Sequence, residues 1–120
     1  MRRGLSLANV GVRAVMELGI VVGFAVWGWH VAPSRIASVA LAVTMPAAAF
    51  GFWGAVDFRF AGAHAETLRL VQELAVSGLA AAAFYASGVP TLAWTQVGLT
   101  VAHHAATYAL GERLLERQAA

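Results

Sequence analysis

The sequence contains no cysteine and no lysine, and only 12% of its residues are charged. The absence of cysteine excludes disulfides, thiolate metal sites and cysteine nucleophiles. Soluble domains usually carry about 25% charged residues, so this chain is poor in charge. Its arginines are scattered and form no basic stripe of the kind that contacts phosphates. No nucleic-acid partner is therefore expected.

Apolar residues are in excess. They make up 60% of the 120 residues, and the mean hydropathy is +0.71. A single soluble core of this length cannot hide so much apolar surface from water. One transmembrane helix takes about 20 apolar residues, and four such helices with short connections account for nearly the whole chain. The sequence predicts an all-α integral membrane protein, a single domain over residues 1–120 whose main partner is the lipid bilayer.

Turn-forming residues divide the apolar sequence into helices. Pro33 and the S-G-V-P run at residues 87–90 mark two turns, and a polar connection lies between them after residue 56. Such short connections predict an up-down bundle. The predicted helices cover about residues 5–31, 36–56, 68–86 and 91–115.

The distribution of arginine predicts the orientation in the membrane. Most arginines lie near the two termini and in the middle connection, whereas the two other connections contain only Arg35. Cytoplasmic loops are enriched in Arg, so both termini are expected in the cytoplasm and the chain in a bacterial inner membrane. Trp27, Trp29 and His30 are then predicted to anchor the outer interface, with stacking on a ligand headgroup as the alternative.

A short repeat is present. A shift of 56 residues aligns residues 13–18 with residues 69–74, and both segments read R-x-V-x-E-L. Tandem duplication of a two-helix unit explains this pattern. The two copies would be parallel repeats related by a pseudo-two-fold axis along the membrane normal.

Four charged residues lie inside the predicted membrane segments. Arg13 and Glu17, like Arg69 and Glu73, are four residues apart on one helical face. The repeat predicts cross-pairing, Arg13 with Glu73 and Arg69 with Glu17, in a ring between the first and third helices. One interpretation is a polar contact that sets helix register; the other is a pair of carboxylates that binds a cation or a proton. The arginines favour the first, because they would neutralise the carboxylates.

Two adjacent histidines, His103 and His104, lie in the fourth predicted helix. Neighbouring residues point about 100° apart, so at most one is expected to face the interior squarely. Interhelical hydrogen bonds, with Tyr108 as the partner of His104, are favoured over a metal site that would add Glu17 or Glu73. No metal or cofactor is expected. Hydrolase, phosphate-loop and dinucleotide motifs do not occur, so no enzymatic activity is predicted.

Several of these residues carry a family resemblance. The run M-E-L-G at 16–19 leading to W-G-W-H at 27–30, and Q-E-L at 72–74 leading to Y-A-S-G-V-P at 85–90, resemble the YrdB family. These are small bacterial inner-membrane proteins with four predicted helices and no established function. The resemblance covers about residues 5–115 and implies the same fold and location. The pair at 103–104 is not part of the family pattern.

The predicted function is that of a non-enzymatic accessory or assembly subunit. Each predicted helix carries small residues at four-residue spacing, such as Gly19 and Gly23, which allow close helix–helix association. The partners would be other membrane proteins or further copies of the chain. One alternative is an oligomeric transporter of a small cation or polar solute that uses Glu17 and Glu73. A second is a metal- or cofactor-binding membrane subunit.

Overall fold

The computed structural model describes residues 1–115, which form four α-helices and one 3₁₀ segment. Three stretches of this part of the chain are long and apolar enough to cross a membrane: Arg2–Val31, Arg35–Ala55 and Phe58–Ala86. The predicted all-helical fold with four helices is confirmed. The elements are α1 (Arg2–Val31), α2 (Arg35–Ala55), the 3₁₀ segment (Phe58–His64), α3 (Ala65–Ala86) and α4 (Pro90–Ala109).

Helix α4 is not among these three apolar stretches, for a structural reason. Its 20 residues are long enough to cross a hydrocarbon layer. It nevertheless carries a stripe of polar side chains, and this stripe faces the inside of the bundle. The buried polar residues of α4 are Gln96, Thr100, His103, His104 and Thr107.

Helix α1 is the centre of the bundle. It packs against α2, α3 and α4, and α3 packs against α4, whereas α2 touches α3 only sparsely. Two helical hairpins result, α1–α2 and α3–α4, with α2 at the periphery. The described residues accordingly form a flattened body of 48 × 31 × 19 Å.

Glycines allow α1 to approach its three neighbours closely. A Cβ atom on Gly19 would overlap the Gln96 side chain of α4. On Gly23 it would lie 2.9 Å from the Ala80 carbonyl oxygen of α3, and on Gly28 it would lie 2.5 Å from the Leu41 carbonyl oxygen of α2. The predicted packing role of the small residues is therefore seen in α1.

Helix α4 ends earlier than the predicted residue 115. Gly111 adopts a φ of 73°, which is the left-handed conformation that ends helices. The amide of Glu112 then donates to the Thr107 carbonyl at 2.9 Å. The chain turns back at Gly111, so the predicted extension of α4 is wrong for residues 110–113. Leu114 and Leu115 are helical again after this break, and residues 116–120 lie outside the described part.

The turned-back segment is held by Glu66, near the start of α3. The backbone amides of Leu114 and Leu115 donate to its carboxylate at 2.6 and 3.2 Å. Helix α3 itself begins at Ala65 rather than at residue 68, because the predicted polar connection folds largely as the 3₁₀ segment. Before that segment, the exposed Asp57 accepts hydrogen bonds from Arg59, which lowers the pKa of Asp57 to about 2.

Candidate functional site

The polar interior of the bundle is organised around the carboxylate of Glu73. This side chain is 0% exposed. Its Oε1 accepts from Arg13 Nη1 at 3.1 Å, and its Oε2 accepts from Arg13 Nη2 at 3.2 Å and from Arg69 Nε at 2.8 Å. His104 Nε2 lies 3.1 Å from Oε1. Side chains from α1, α3 and α4 therefore converge on one buried carboxylate.

The observed ion pairs differ from a symmetric ring. The predicted pair between Arg13 and Glu73 is present, and Arg13 also donates to Glu17 at 2.9 Å. Arg69 was predicted to pair with Glu17, but it forms an ion pair with Glu73 of its own helix at 2.8 Å. The Glu17 side chain is 38% exposed, so the two glutamates occupy different environments.

Arg69 is drawn toward the end of α2. Its Nη1 donates to the Trp53 carbonyl and to Gln72 Oε1, both at 2.9 Å. Gln72 in turn donates to the Phe52 carbonyl at 3.1 Å. Carbonyls in the last turn of a helix lack intrahelical partners and carry partial negative charge, so they attract a cation. The carbonyls at the end of α2 hold Arg69 in place, and this explains why it pairs with Glu73 and not with Glu17.

Trp53 is a member of the site that the sequence did not single out. Its buried ring lies 5.3 Å from the Arg13 guanidinium and 5.4 Å from that of Arg69, within the range of cation–π contacts. Its Nε1 has no hydrogen-bond partner among the described residues. The only sequence signal was an aromatic residue in the last turn of α2, which is also typical of an interfacial anchor.

His103 is held by partners that identify its protonation. Its Nε2 lies 3.2 Å from Arg13 Nη1, and arginine can only donate, so Nε2 accepts. Its Nδ1 lies 3.0 Å from Asn9 Oδ1, to which it donates. Asn9 Nδ2 donates to Thr107 Oγ1 at 2.9 Å. These contacts describe a neutral imidazole with its hydrogen on Nδ1.

His104 is also buried, and both adjacent histidines face the interior. Its Nδ1 donates to the Thr100 carbonyl at 2.7 Å, and its Nε2 faces Glu73. The expectation that at most one histidine faces inward is wrong. Helix α4 packs against both α1 and α3, so directions about 100° apart on α4 each meet a neighbouring helix.

Tyr108 does not pair with His104 as predicted. Its hydroxyl donates to Glu66 Oε1 at 3.0 Å, and both ring nitrogens of His104 are occupied by other partners. Glu66 therefore ties together the start of α3, the end of α4 and the turned-back segment. The sequence signal for this role was an acidic residue in the first turn of a helix, which is too common to be specific.

The polar network continues from His104 toward the start of α4. Thr100 and Ser77 share a short hydroxyl–hydroxyl hydrogen bond. Gln96 Nε2 donates to Ser77 Oγ at 2.8 Å and to the Met16 carbonyl at 3.1 Å. One turn further along each helix, the buried side chains in the described part of the chain are apolar: Ile20, Ala80, Phe84 and Ala93. The network therefore ends inside the bundle.

A metal ion does not fit this donor set. Potential ligand atoms of Glu73, His103 and His104 lie within 4.8 Å of one another. Arg13 Nη1, however, lies 3.1 Å from Glu73 Oε1 and 3.2 Å from His103 Nε2, so a guanidinium already bridges two of the three groups. A second cation, Arg69, also contacts Glu73. Two fixed positive charges oppose the binding of a third.

An open cavity lies beside the network. It has a volume of about 190 Å³ and is lined by Arg13, Glu17, Phe50, Trp53, Gly54 and Arg69. It exists because α2 packs on α1 and makes few contacts with α3. Glu17 is the acidic group that this cavity exposes.

Trp27, Trp29 and His30, at the other end of α1, differ in exposure. Trp29 and His30 are exposed, and His30 Nδ1 donates to the Val26 carbonyl of its own helix at 2.9 Å. Trp27 is half-buried and lines an apolar cavity of about 240 Å³ together with Phe24 and residues of α3. The role of these residues as an interfacial anchor stays a prediction.

Comparison with known proteins places the chain in a family. Residues 11–101 match the family model described as Protein of unknown function (DUF2568). No curated protein and no solved structure matches the chain. The chain therefore belongs to the DUF2568 family.

Proposed function

We propose that the chain is a membrane subunit that acts through helix–helix association and not as an enzyme. In this proposal all four helices cross a bacterial inner membrane and both termini are cytoplasmic. The resemblance to the YrdB family belongs to the same proposal. The partners are further copies of the chain or other membrane proteins.

The distribution of polar and apolar side chains supports a membrane location. Ile36, Val43 and Val101 are 85%, 65% and 61% exposed, whereas Glu73 and His103 are almost completely buried. Apolar residues outside and ionisable residues inside are typical of membrane bundles. In water, so much exposed apolar surface would favour aggregation.

The observation that carries the association proposal is a set of glycines that the fold leaves open. A Cβ on Gly51, Gly78 or Gly98 would meet no atom of the described chain within 4 Å, unlike one on the packed glycines of α1. Glycine inside a helix costs roughly 0.5–1 kcal/mol relative to alanine. Small outward-facing residues let a second helix approach closely.

Gly78 is the strongest candidate contact. Two shallow apolar cavities between α3 and α4 share this residue, one with Trp94 and Val97 in its lining and the other with Leu74 and Val101. Together they form a groove along the α3–α4 hairpin. A helix from another subunit would place its side chains in this groove.

The mass of the particle in mild detergent tests the proposal. The wild type is expected to run as a homo-oligomer or with co-purifying membrane proteins. Gly78→Leu should release the partner, while Gly11→Leu should not, because Gly11 is an equally open glycine on α1 away from the groove. A wild-type particle with the mass of one chain and no co-purifying protein would contradict association.

Single cysteines test the topology, because the chain has none of its own. Ser34→Cys and Thr91→Cys should react with a membrane-impermeant maleimide in intact cells, because both residues are exposed. Ala63→Cys, in the 3₁₀ segment, should react only after lysis. Labelling of Ala63→Cys in intact cells, or of Thr91→Cys only after lysis, would contradict the proposed four crossings.

The second candidate function is transport of a small cation or polar solute by an oligomer. The open cavity beside Glu17 favours it, and the apolar end of the network means that one chain alone offers no continuous polar path. Combining Glu17→Gln with Glu73→Gln should abolish flux in proteoliposomes while assembly persists. Unchanged flux in that double variant would exclude these carboxylates from the path.

A further inference from the structure

The orientation of His104 determines where its hydrogens lie. Its Nδ1 is 2.7 Å from the Thr100 carbonyl oxygen, which can only accept, so Nδ1 carries a hydrogen. Its Nε2 is 3.1 Å from Glu73 Oε1. An ionised carboxylate also only accepts, and two lone pairs facing each other at this distance in a buried site would repel. One further proton must therefore lie between these two atoms.

We propose that Glu73 and His104 form a proton-binding site, with one proton held between Glu73 Oε1 and His104 Nε2. The proton makes His104 an imidazolium or Glu73 a carboxylic acid, and either form completes the hydrogen bond. This site goes beyond the proposed association and does not depend on it. The bound ligand is the proton itself.

The neighbouring His103 provides an internal contrast. Its two ring nitrogens meet one donor, Arg13, and one acceptor, Asn9, so the neutral imidazole satisfies both. The two rings are adjacent, 4.9 Å between centroids and edge to face. The structure thus distinguishes a neutral histidine from a proton-binding one at successive positions of α4.

The charged groups around Glu73 and His104 explain why this proton can be taken up and released. From α1, Arg13 contacts both oxygens of Glu73; from α3, Arg69 contacts Oε2; and on α4 the ring of His103 lies beside that of His104. Two arginines and two glutamates, Glu17 and Glu73, sum to zero, so the bound proton leaves the cluster with one positive charge. Hydrogen bonding favours the bound proton, whereas burial of a net charge opposes it.

The hydrogen-bonded network extends from the site toward one end of the bundle. Toward the start of α1 and the end of α4, hydrogen bonds continue from His103 through Asn9 to Thr107. In the other direction the described network stops at Gln96 against apolar side chains. The proton would therefore be taken up and released at one face of the membrane, without passage to the other.

Nitrogen NMR of the wild-type protein in lipid nanodiscs tests this proposal. At neutral pH, His104 is expected to show hydrogen on both nitrogens, or one bare nitrogen together with a protonated Glu73 in the infrared spectrum. His103 should show hydrogen on Nδ1 and a bare Nε2. A His104 with one bare nitrogen beside an ionised Glu73 would overturn the proposal. The spectrum of His104→Gln identifies the signals.

A matched pair of variants tests the role of the carboxylate. In Glu73→Gln the new amide can donate to Nε2, so His104 should become neutral at the same pH. In Asp57→Asn, which removes an exposed carboxylate outside the cluster, the His104 signals should stay unchanged. Identical His104 signals in both variants and the wild type would count against the site. The wild-type measurement decides the question even if Glu73→Gln does not fold.

Discussion

The two hairpins of this bundle carry the same arginine–glutamate pair in different settings. In α1–α2, Glu17 is 38% exposed and accepts from Arg13 beside an open cavity. In α3–α4, Glu73 is 0% exposed and is contacted by two arginines and His104. Helix α4 packs on both α1 and α3, whereas α2 packs mainly on α1.

The helices that follow the two glutamates explain the difference. At the positions 56 residues before Gln96, His103, His104 and Thr107, α2 has Ala40, Ala47, Ala48 and Gly51. Lipid provides no hydrophobic drive for helices to associate, so polar contacts and close packing decide which helices meet. Helix α4 offers side-chain hydrogen bonds to α1 and α3. Helix α2 is held on α1 by close backbone approach at Gly28 and by the bond from Ser38 Oγ to the Trp29 carbonyl at 3.0 Å.

The largest expected effect on stability is the difference between removing the Glu73 carboxylate and removing the Glu17 carboxylate. Glu73→Ala leaves two buried arginines and His104 without their shared partner, and should lower the free energy of unfolding by about 3–5 kcal/mol. Glu17→Ala, the matched control, should cost about 0–1 kcal/mol because its carboxylate is partly exposed. Unfolding in mixed detergent micelles measures both. Equal losses would mean that the two hairpins use their glutamates alike.

The next largest effect on stability is the difference between substituting a glycine in close contact with another helix and substituting an open one. Gly28→Ala places a Cβ 2.5 Å from the Leu41 carbonyl oxygen, so α1 and α2 must move apart at a cost of roughly 1–3 kcal/mol. Gly98→Ala on α4 meets no described atom within 4 Å and should leave stability unchanged or raise it slightly. The same unfolding assay compares the variants. A destabilised Gly98→Ala in the isolated chain would show that α4 depends on close backbone approach as well.

A smaller loss of stability is expected when side-chain hydrogen bonds between α4 and α1 are removed. Asn9→Ala removes the acceptor of His103 Nδ1 and the donor to Thr107, and should cost about 0.6–1.7 kcal/mol, the range for hydrogen bonds between membrane helices. Ser38→Ala removes one interhelical bond from the α1–α2 hairpin and should cost less. If Ser38→Ala lowers the free energy of unfolding more than Asn9→Ala does, interhelical hydrogen bonds do not explain the difference between the hairpins.

The smallest expected effect on stability comes from Asp57, which lies in the connection between the two hairpins. The pKa of Asp57 is lowered to about 2 by its hydrogen bonds with Arg59, so the interaction is fully present above the ordinary pKa of 3.8 and is lost as pH falls through the folded value. Asp57→Asn should therefore differ from the wild type by an amount that does not change near neutral pH and shrinks only under strong acid. A difference that varies around neutral pH would exclude this assignment.

Much of the fold could be predicted because its causes are local. Apolar runs interrupted by Pro33, by the polar connection after residue 56 and by Pro90 indicate four helices. The four-residue spacing of Arg13 and Glu17 places them on one face. The early end of α4 was missed because Gly111 is preceded and followed by helix-forming residues, so its positive φ shows only in the structure.

The partners of the polar side chains depended on the tertiary arrangement. The sequence by itself determined that Glu73, His103 and His104 are polar groups within apolar helices, because composition and spacing are properties of the chain. The packing of α4 against both α1 and α3 decided that both histidines are buried, that Arg13 bridges His103 and Glu73, and that Trp53 joins the site. Hydrogen bonds between helices depend on interatomic distances across the bundle, and no local pattern encodes these distances.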